Sequence, residues 1–186
     1  MVRYVIGVDP SGNFNEGKGH TGIAVYDTVE DRIIDIDMTY AGDYDTWLAF
    51  FAATWQKILW YLEHFSNVYG YDNPVMSIEN YVLYGHKMHE QTNSELETAR
   101  AVGYLIMKAF EAGYHVYMRR AVDVKSRWSE DVLVRLGYIQ ERSGKYYFNG
   151  KSTATHHRDA MKHAIHCGRF ECNKSVKKNS SKHLIC

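Results

Sequence analysis

The order of hydrophobic patterns in this chain predicts an α/β fold: a mixed five-stranded sheet, three antiparallel strands then two parallel ones, flanked by helices. Three observations lead there. Three β-type runs lie before residue 41 with short loops between them, which suits an antiparallel meander. Two further apolar runs each follow a long helical stretch, the arrangement that parallel strands need for their crossovers. Acidic residues stand at the ends of the first and fourth of these strands.

The elements follow in order. Residues 3–9 form a buried strand, because Tyr4, Val5, Ile6 and Val8 favour extended backbone, and Pro10-Ser11-Gly12 breaks it. A glycine-containing loop over 13–19 leads to a second strand at 20–27. In the third, 32–40, Ile34, Ile36 and Met38 alternate with Asp35 and Asp37, as on a half-exposed antiparallel strand. Trp47, Phe51, Trp55, Ile58, Leu62 and Phe65 recur at helical spacing, with Asp45 or Thr46 available as the cap. Asn73-Pro74 stops the connection, and 75–79 is a short apolar strand ending in Glu79. A polar, aromatic loop spans 80–91. Thr92-Asn93-Ser94-Glu95 matches a capping box and opens a helix over 92–112 with Gly113 at its end. A strand at 114–118, a short helix at 129–136, a hairpin over 140–151 turning at Ser143-Gly144, and a helix from Thr155 to about His166 complete the series. No internal repeat is evident. Residues 1–168 read as one domain and 169–186 as a basic tail.

Composition narrows the classes. The 186 residues carry 45% apolar and 24% charged side chains and a net charge of zero, ordinary values for a globular domain. Charge is unevenly spread: residues 119–151 hold eight basic side chains against four acidic, and 169–186 five against one. Such asymmetry fits a basic binding surface beside an acidic site, and equally an ordinary charged surface. Three cysteines without a CxxC pair give neither a disulfide framework nor a structural zinc site. No apolar run is long enough for a membrane span, and the N-terminus enters a strand at once without a signal-peptide pattern, so the expected compartment is the cytoplasm. The glycines between residues 7 and 12 precede a strand rather than a helix, which excludes a dinucleotide-binding fingerprint, and no small-molecule cofactor is expected.

The acids carry the chemistry. If the fourth strand pairs with the first, Asp9 and Glu79 converge beyond the sheet edge. His156 and Asp159, three apart on the last helix, point to one side. Clustered carboxylates repel one another, and a divalent cation relieves that repulsion. Their hard oxygens suit Mg²⁺ or Mn²⁺, and two such ions activate water at a phosphodiester. Singly, each residue has a bland explanation: Asp9 as a turn residue, Glu79 as a strand end, His156 and Asp159 as a solvated helix start. Their joint placement is the informative feature. Lys125 and Arg127 follow the fifth strand at the same end of the sheet and are candidates to hold phosphate.

Several segments together resemble one family. Val5-Ile6-Gly7-Val8-Asp9-Pro10-Ser11-Gly12 with Thr21-Gly22-Ile23-Ala24-Val25 is similar to the first motif of RuvC-type Holliday junction resolvases, members of the ribonuclease H-like superfamily. Ser77-Ile78-Glu79-Asn80 resembles the second motif. Ala99-Arg100-Ala101-Val102-Gly103, Val124-Lys125 and His156-His157-Arg158-Asp159-Ala160-Met161 resemble later ones. The resemblance runs in order from about residue 3 to 168. It implies a Mg²⁺- or Mn²⁺-dependent endonuclease acting in DNA recombination and repair, with two ions per site held by Asp9, Glu79, His156 and Asp159, and Lys125 assisting catalysis. It also implies a homodimer, joined through helix 92–112, that resolves four-way junctions by paired nicks. An aromatic in the loop after Glu79, Tyr81 or Tyr84, would meet the junction centre. Outside the resemblance, Arg127 is a candidate DNA contact from its place after the fifth strand, and Lys87, Arg119 and Arg120 are weaker ones.

The chain departs from the family at the lengthened 13–19 loop, at His156 where members carry Asp or His, at the 140–151 hairpin and in the basic tail. These departures describe a phage-like or otherwise divergent member, whose compartment would then be the host cytoplasm. The alternatives are a broader ribonuclease H-like nuclease acting on flaps, packaging substrates or RNA–DNA hybrids, and a catalytically silent junction-binding protein.

Overall fold

The computed structural model describes residues 1–12, 14, 17–68, 70–81 and 96–172. Its main sheet comprises β1 (Tyr4–Asp9), β2 (His20–Asp27), β3 (Arg32–Tyr40), β4 (Val75–Asn80) and β5 (Val116–Arg120), in the order β3-β2-β1-β4-β5. β1 pairs antiparallel with β2 and β2 with β3, whereas β1–β4 and β4–β5 are parallel. This is the mixed order expected from the sequence. The helices are α1 (Trp47–His64), α2 (Glu97–Glu111), the short α3 (Ala121–Lys125) and α4 (Glu130–Arg135), and α5 (Thr155–Phe170). The 140–151 region forms a second small sheet of β6 (Gln140–Arg142), β7 (Lys145–Phe148) and β8 (Lys151–Ser152).

Period-two alternation divides β1 between two cores. Val5 packs with Ala24, Met161, Ala164 and Ile165 beneath α5. Ile6 and Val8 pack with Ile23, Ile58, Leu62, Ile78 and Leu105 beneath α1 and α2. Each fully buried aliphatic contributes about 1.5–3 kcal/mol relative to exposure. Two glycines bring α5 against the sheet. A Cβ on Gly7 would collide with the Ala160 carbonyl and stand 2.8 Å from Ala164 Cβ; one on Gly22 would collide with the His156 carbonyl. Contact this close places the first turn of α5 directly over the end of β1.

Thr46, one of the two expected caps, accepts from Ala49 N–H, and Ser129 caps α4. Several boundaries differ from expectation. α2 begins at Glu97, after Leu96 in left-handed backbone, rather than at 92. β5 begins two residues later, α5 continues to Phe170, and the chain passes from β5 straight into α3, a turn whose five residues are too few to register as a periodic pattern. The capping box at 92–95 lies outside the described residues. Phe14 N–H donates to Glu97 Oε2 at 2.5 Å and Gly12 N–H to Thr98 Oγ1 at 3.0 Å, which ties the loop after Asp9 to the start of α2.

Candidate active site

Parallel pairing of Val8 with Ile78 sets Asp9 and Glu79 side by side, one residue farther out on adjacent strands. Asp9 is buried, Glu79 half-buried, and both leave the sheet at its carboxyl edge. α5 adds His156 and Asp159 from its first turn. His156 Nδ1 lies 2.5 Å from Asp9 Oδ2. α3 ends with Lys125 pointing into the cluster: its Nζ is 2.7 Å from Asp159 Oδ2, 2.9 Å from Glu79 Oε2 and 3.8 Å from Asp9 Oδ1. The five residues selected from sequence as catalytic or metal-binding therefore meet at one point.

Electrostatics follow from that crowding. Burial, with the nearby Glu79 charge adding to it, pushes the Asp9 carboxyl up to about 6 against the hydrogen bond from His156. For Glu79 burial acts upward but is outweighed by His163, Asp9 and Lys125, which hold it down to about 2. Of two adjacent acids, Asp9 is thus the one that takes up a proton first as the pH falls. The Asp9 contact raises the His156 imidazole, opposed by burial. Burial would lower Lys125, but the charges of Asp9, Asp159 and Glu79 prevail and raise it.

The other candidates are not gathered here. Tyr81 is partly buried against the core face shared with α1 and α2. Tyr84 and Lys87 lie outside the described residues. Arg127 is not gathered with the carboxylates: its guanidinium stacks over Phe170, 4.4 Å from the ring centroid. Phe170 is eleven residues beyond Asp159 on α5, roughly 16 Å along the axis at about 1.5 Å per residue. The α3 turn separates Lys125 from Arg127, which a continuous loop would have kept together. Arg119 pairs with Glu171 and Arg120 with Asp123.

Sequence reading missed three neighbours. Lys162, buried, contacts Asp159 Oδ1 and Glu130 Oε1, both at 2.8 Å. His163, fully buried, places Nε2 3.4 Å from Glu79 Oε2. His20, at the start of β2, stands edge-on to His156 with centroids 6.0 Å apart. The available signal was that Lys162 and His163 interrupt the apolar run of Ala160, Met161, Ala164 and Ile165, one turn past Asp159.

The donor set fits a divalent cation: three carboxylates and an imidazole, of hard and borderline character. Glu79 Oε2 supports the fit. It is buried without a hydrogen-bond partner, since Lys125 Nζ lies within ion-pair distance but not in hydrogen-bonding direction. Among the described residues no group of three or more His, Cys, Asp or Glu side chains surrounds a common point ready for an ion; the Lys125 ammonium lies among the three carboxylates.

Topology defines the class: the sheet order and helix placement are those of a ribonuclease H-like fold. Within that class the chain is similar to Thermus thermophilus RuvC. It matches the structure described as RuvC in complex with Holliday junction substrate at a TM-score of 0.61 and 19% identity, over 88% of this chain and 90% of that one. A second Thermus thermophilus RuvC structure matches at 0.56 and 15% identity, over 90% and 97%. No family model matches the chain, and no curated protein sequence does so. Among the described residues no helix is long and apolar enough to cross a membrane.

Proposed function

We propose that this chain is a metal-dependent endonuclease that cuts branched DNA and resolves four-way junctions by paired nicks as a homodimer. The convergence of Asp9, Glu79, Asp159, His156 and Lys125 at one edge of a RuvC-like sheet carries this reading. Asp9, Glu79, Asp159 and His156 would hold Mg²⁺ or Mn²⁺, with two ions as the expected number. Those ions supply charge neutralisation and an activated water at the phosphodiester.

The chain's own residues do the rest. Asp9 ligates as the carboxylate. Asp9 in turn fixes the His156 ring through Nδ1. Lys125, released from the carboxylates, faces the negative charge that develops on the phosphate. Support for the dimer comes from α2, whose outward side presents Gly103, Met107 and Phe110, the last 81% exposed. An apolar stripe of this kind is suited to a two-fold contact with its own copy.

The test is cleavage of a labelled four-way junction beside matched duplex, flap and RNA–DNA hybrid with Mg²⁺ or Mn²⁺, by wild type, Asp9→Asn and Asp159→Asn. Paired symmetric nicks on the junction are expected, with cleavage abolished and junction binding kept in both variants. Equal cutting of flaps or hybrids would move the function to a broader nuclease. Retained cutting in either variant would remove the site assignment.

A further inference from the structure

We propose that Lys162 is a positioning residue of the metal site, which Glu130 holds from behind so that Asp159 presents a single oxygen to the cation. The proposal rests on the metal-site reading above.

Lys162 lies one helical turn after Asp159, and its side chain is 5% exposed. An ammonium that deep is tolerated only when paired and hydrogen-bonded. Two carboxylates serve it, Asp159 Oδ1 and Glu130 Oε1, each at 2.8 Å. Asp159 is thereby divided: Oδ1 faces Lys162 and Oδ2 faces the Asp9–Glu79 cluster, where Lys125 meets it at 2.7 Å. The two lysines differ in kind. Lys125 is 34% exposed and can swing away when a cation enters. Lys162 is enclosed between α4 and α5 and stays, leaving Asp159 to bind through Oδ2 alone.

A fixed positive charge beside a cation site would ordinarily weaken it. Glu130 answers this in part: its negative charge, which Arg158 also shares, offsets that of Lys162. The pair then gives Asp159 a hydrogen bond of fixed direction with reduced net charge. Arg158 approaches the same Glu130 oxygen at 3.4 Å and holds it in turn. The brace also spans elements: Glu130 opens α4, which follows α3 and its Lys125 by a few residues. One buried lysine therefore sets the orientation of Asp159 and ties the start of α4 to α5. Such outer partners of ligating carboxylates typically change metal affinity or activity ~10–100-fold when removed.

The experiment measures Mn²⁺ binding to the full-length protein without DNA by electron paramagnetic resonance, for wild type, K162M, K162R, E130Q and K162M/E130Q. We expect Mn²⁺ affinity to fall about 10-fold or more in K162M and to recover in part in K162R. E130Q, which leaves the Lys162 charge uncompensated, should weaken binding several-fold. Because Glu130 acts through Lys162, the double variant should bind no more weakly than K162M alone. Unchanged affinity in folded K162M and E130Q, or strictly additive losses, would overturn the brace. Should K162M fail to fold, E130Q decides alone, since Glu130 is partly exposed. A wild type that binds no Mn²⁺ would overturn both the brace and the metal-site reading. Mn²⁺ binding with the expected variant pattern but no junction cleavage would overturn only the junction activity.

Discussion

Replacing Lys125 with methionine offers a direct probe of the site without any DNA substrate. In the metal-free protein its ammonium is the counter-charge shared by Asp9, Glu79 and Asp159. Without it, three carboxylates face one another. Removing one partner of a buried ion pair typically costs ~3–5 kcal/mol. Lys125 is 34% exposed, so water takes over part of its role, and we expect about 1–3 kcal/mol. At roughly 2–4 °C per kcal/mol for a chain of this size, K125M should melt ~2–12 °C below wild type in EDTA. Divalent ions should reverse the order of sensitivity. An ion at 100 times its Kd stabilises by ~2.7 kcal/mol, and in K125M it has no ammonium to displace. Mg²⁺ or Mn²⁺ should therefore raise the melting temperature of K125M more than that of wild type. Scanning calorimetry with EDTA and with either ion measures both quantities. A K125M protein that melts with wild type in EDTA, or gains no more from metal than wild type does, would refute the placement of Lys125 as the resident counter-ion.

Other perturbations test the rest. Gly22→Ala forces a Cβ into the His156 carbonyl and within 3.0 Å of His157 N; overpacking should cost ~1–3 kcal/mol. A shift of the α5 start by about 1 Å should lower cleavage ~10²-fold, and a variant that melts and cuts normally would exclude the close approach. Phe110→Glu puts a charge on the exposed stripe of α2 and should convert a dimer to monomers by light scattering; an intact dimer would move the interface elsewhere. The third concerns acid stability. Burial raises the Asp31 carboxyl, but Tyr138, Tyr26 and Arg169 outweigh it and hold the group below its ordinary value of 3.8. A depressed acid stabilises the fold fully above 3.8 and loses that contribution as the pH falls through the lower folded value. Asp31→Asn should therefore destabilise the protein at neutral pH and flatten its loss of stability in acid, as urea titrations at several pH values would show; parallel curves would exclude the linkage.

The sequence by itself determined the sheet and its acids. Period-two alternation in 32–40, the apolar runs at 4–8 and 75–78, and the helical spacing of Trp47 to Phe65 are local patterns, readable because side-chain direction repeats along each element. The acids at strand ends were legible for the same reason, and the β1–β4 pairing that joins Asp9 to Glu79 was one the crossover rules allow but the tertiary structure decides. Tertiary structure alone decided the surroundings. Arg127 and Lys125 are two residues apart, yet the α3 turn sends one to Phe170 and the other among the carboxylates. Lys162 and His163 carry no motif, and only the packing of α5 makes them partners of Asp159 and Glu79. Nor does the sequence show that Gly7 and Gly22 are required by close packing of α5, which comes to rest on them. Local chemistry repeats with the period of its own element, whereas a contact between distant residues depends on how closely two elements pack.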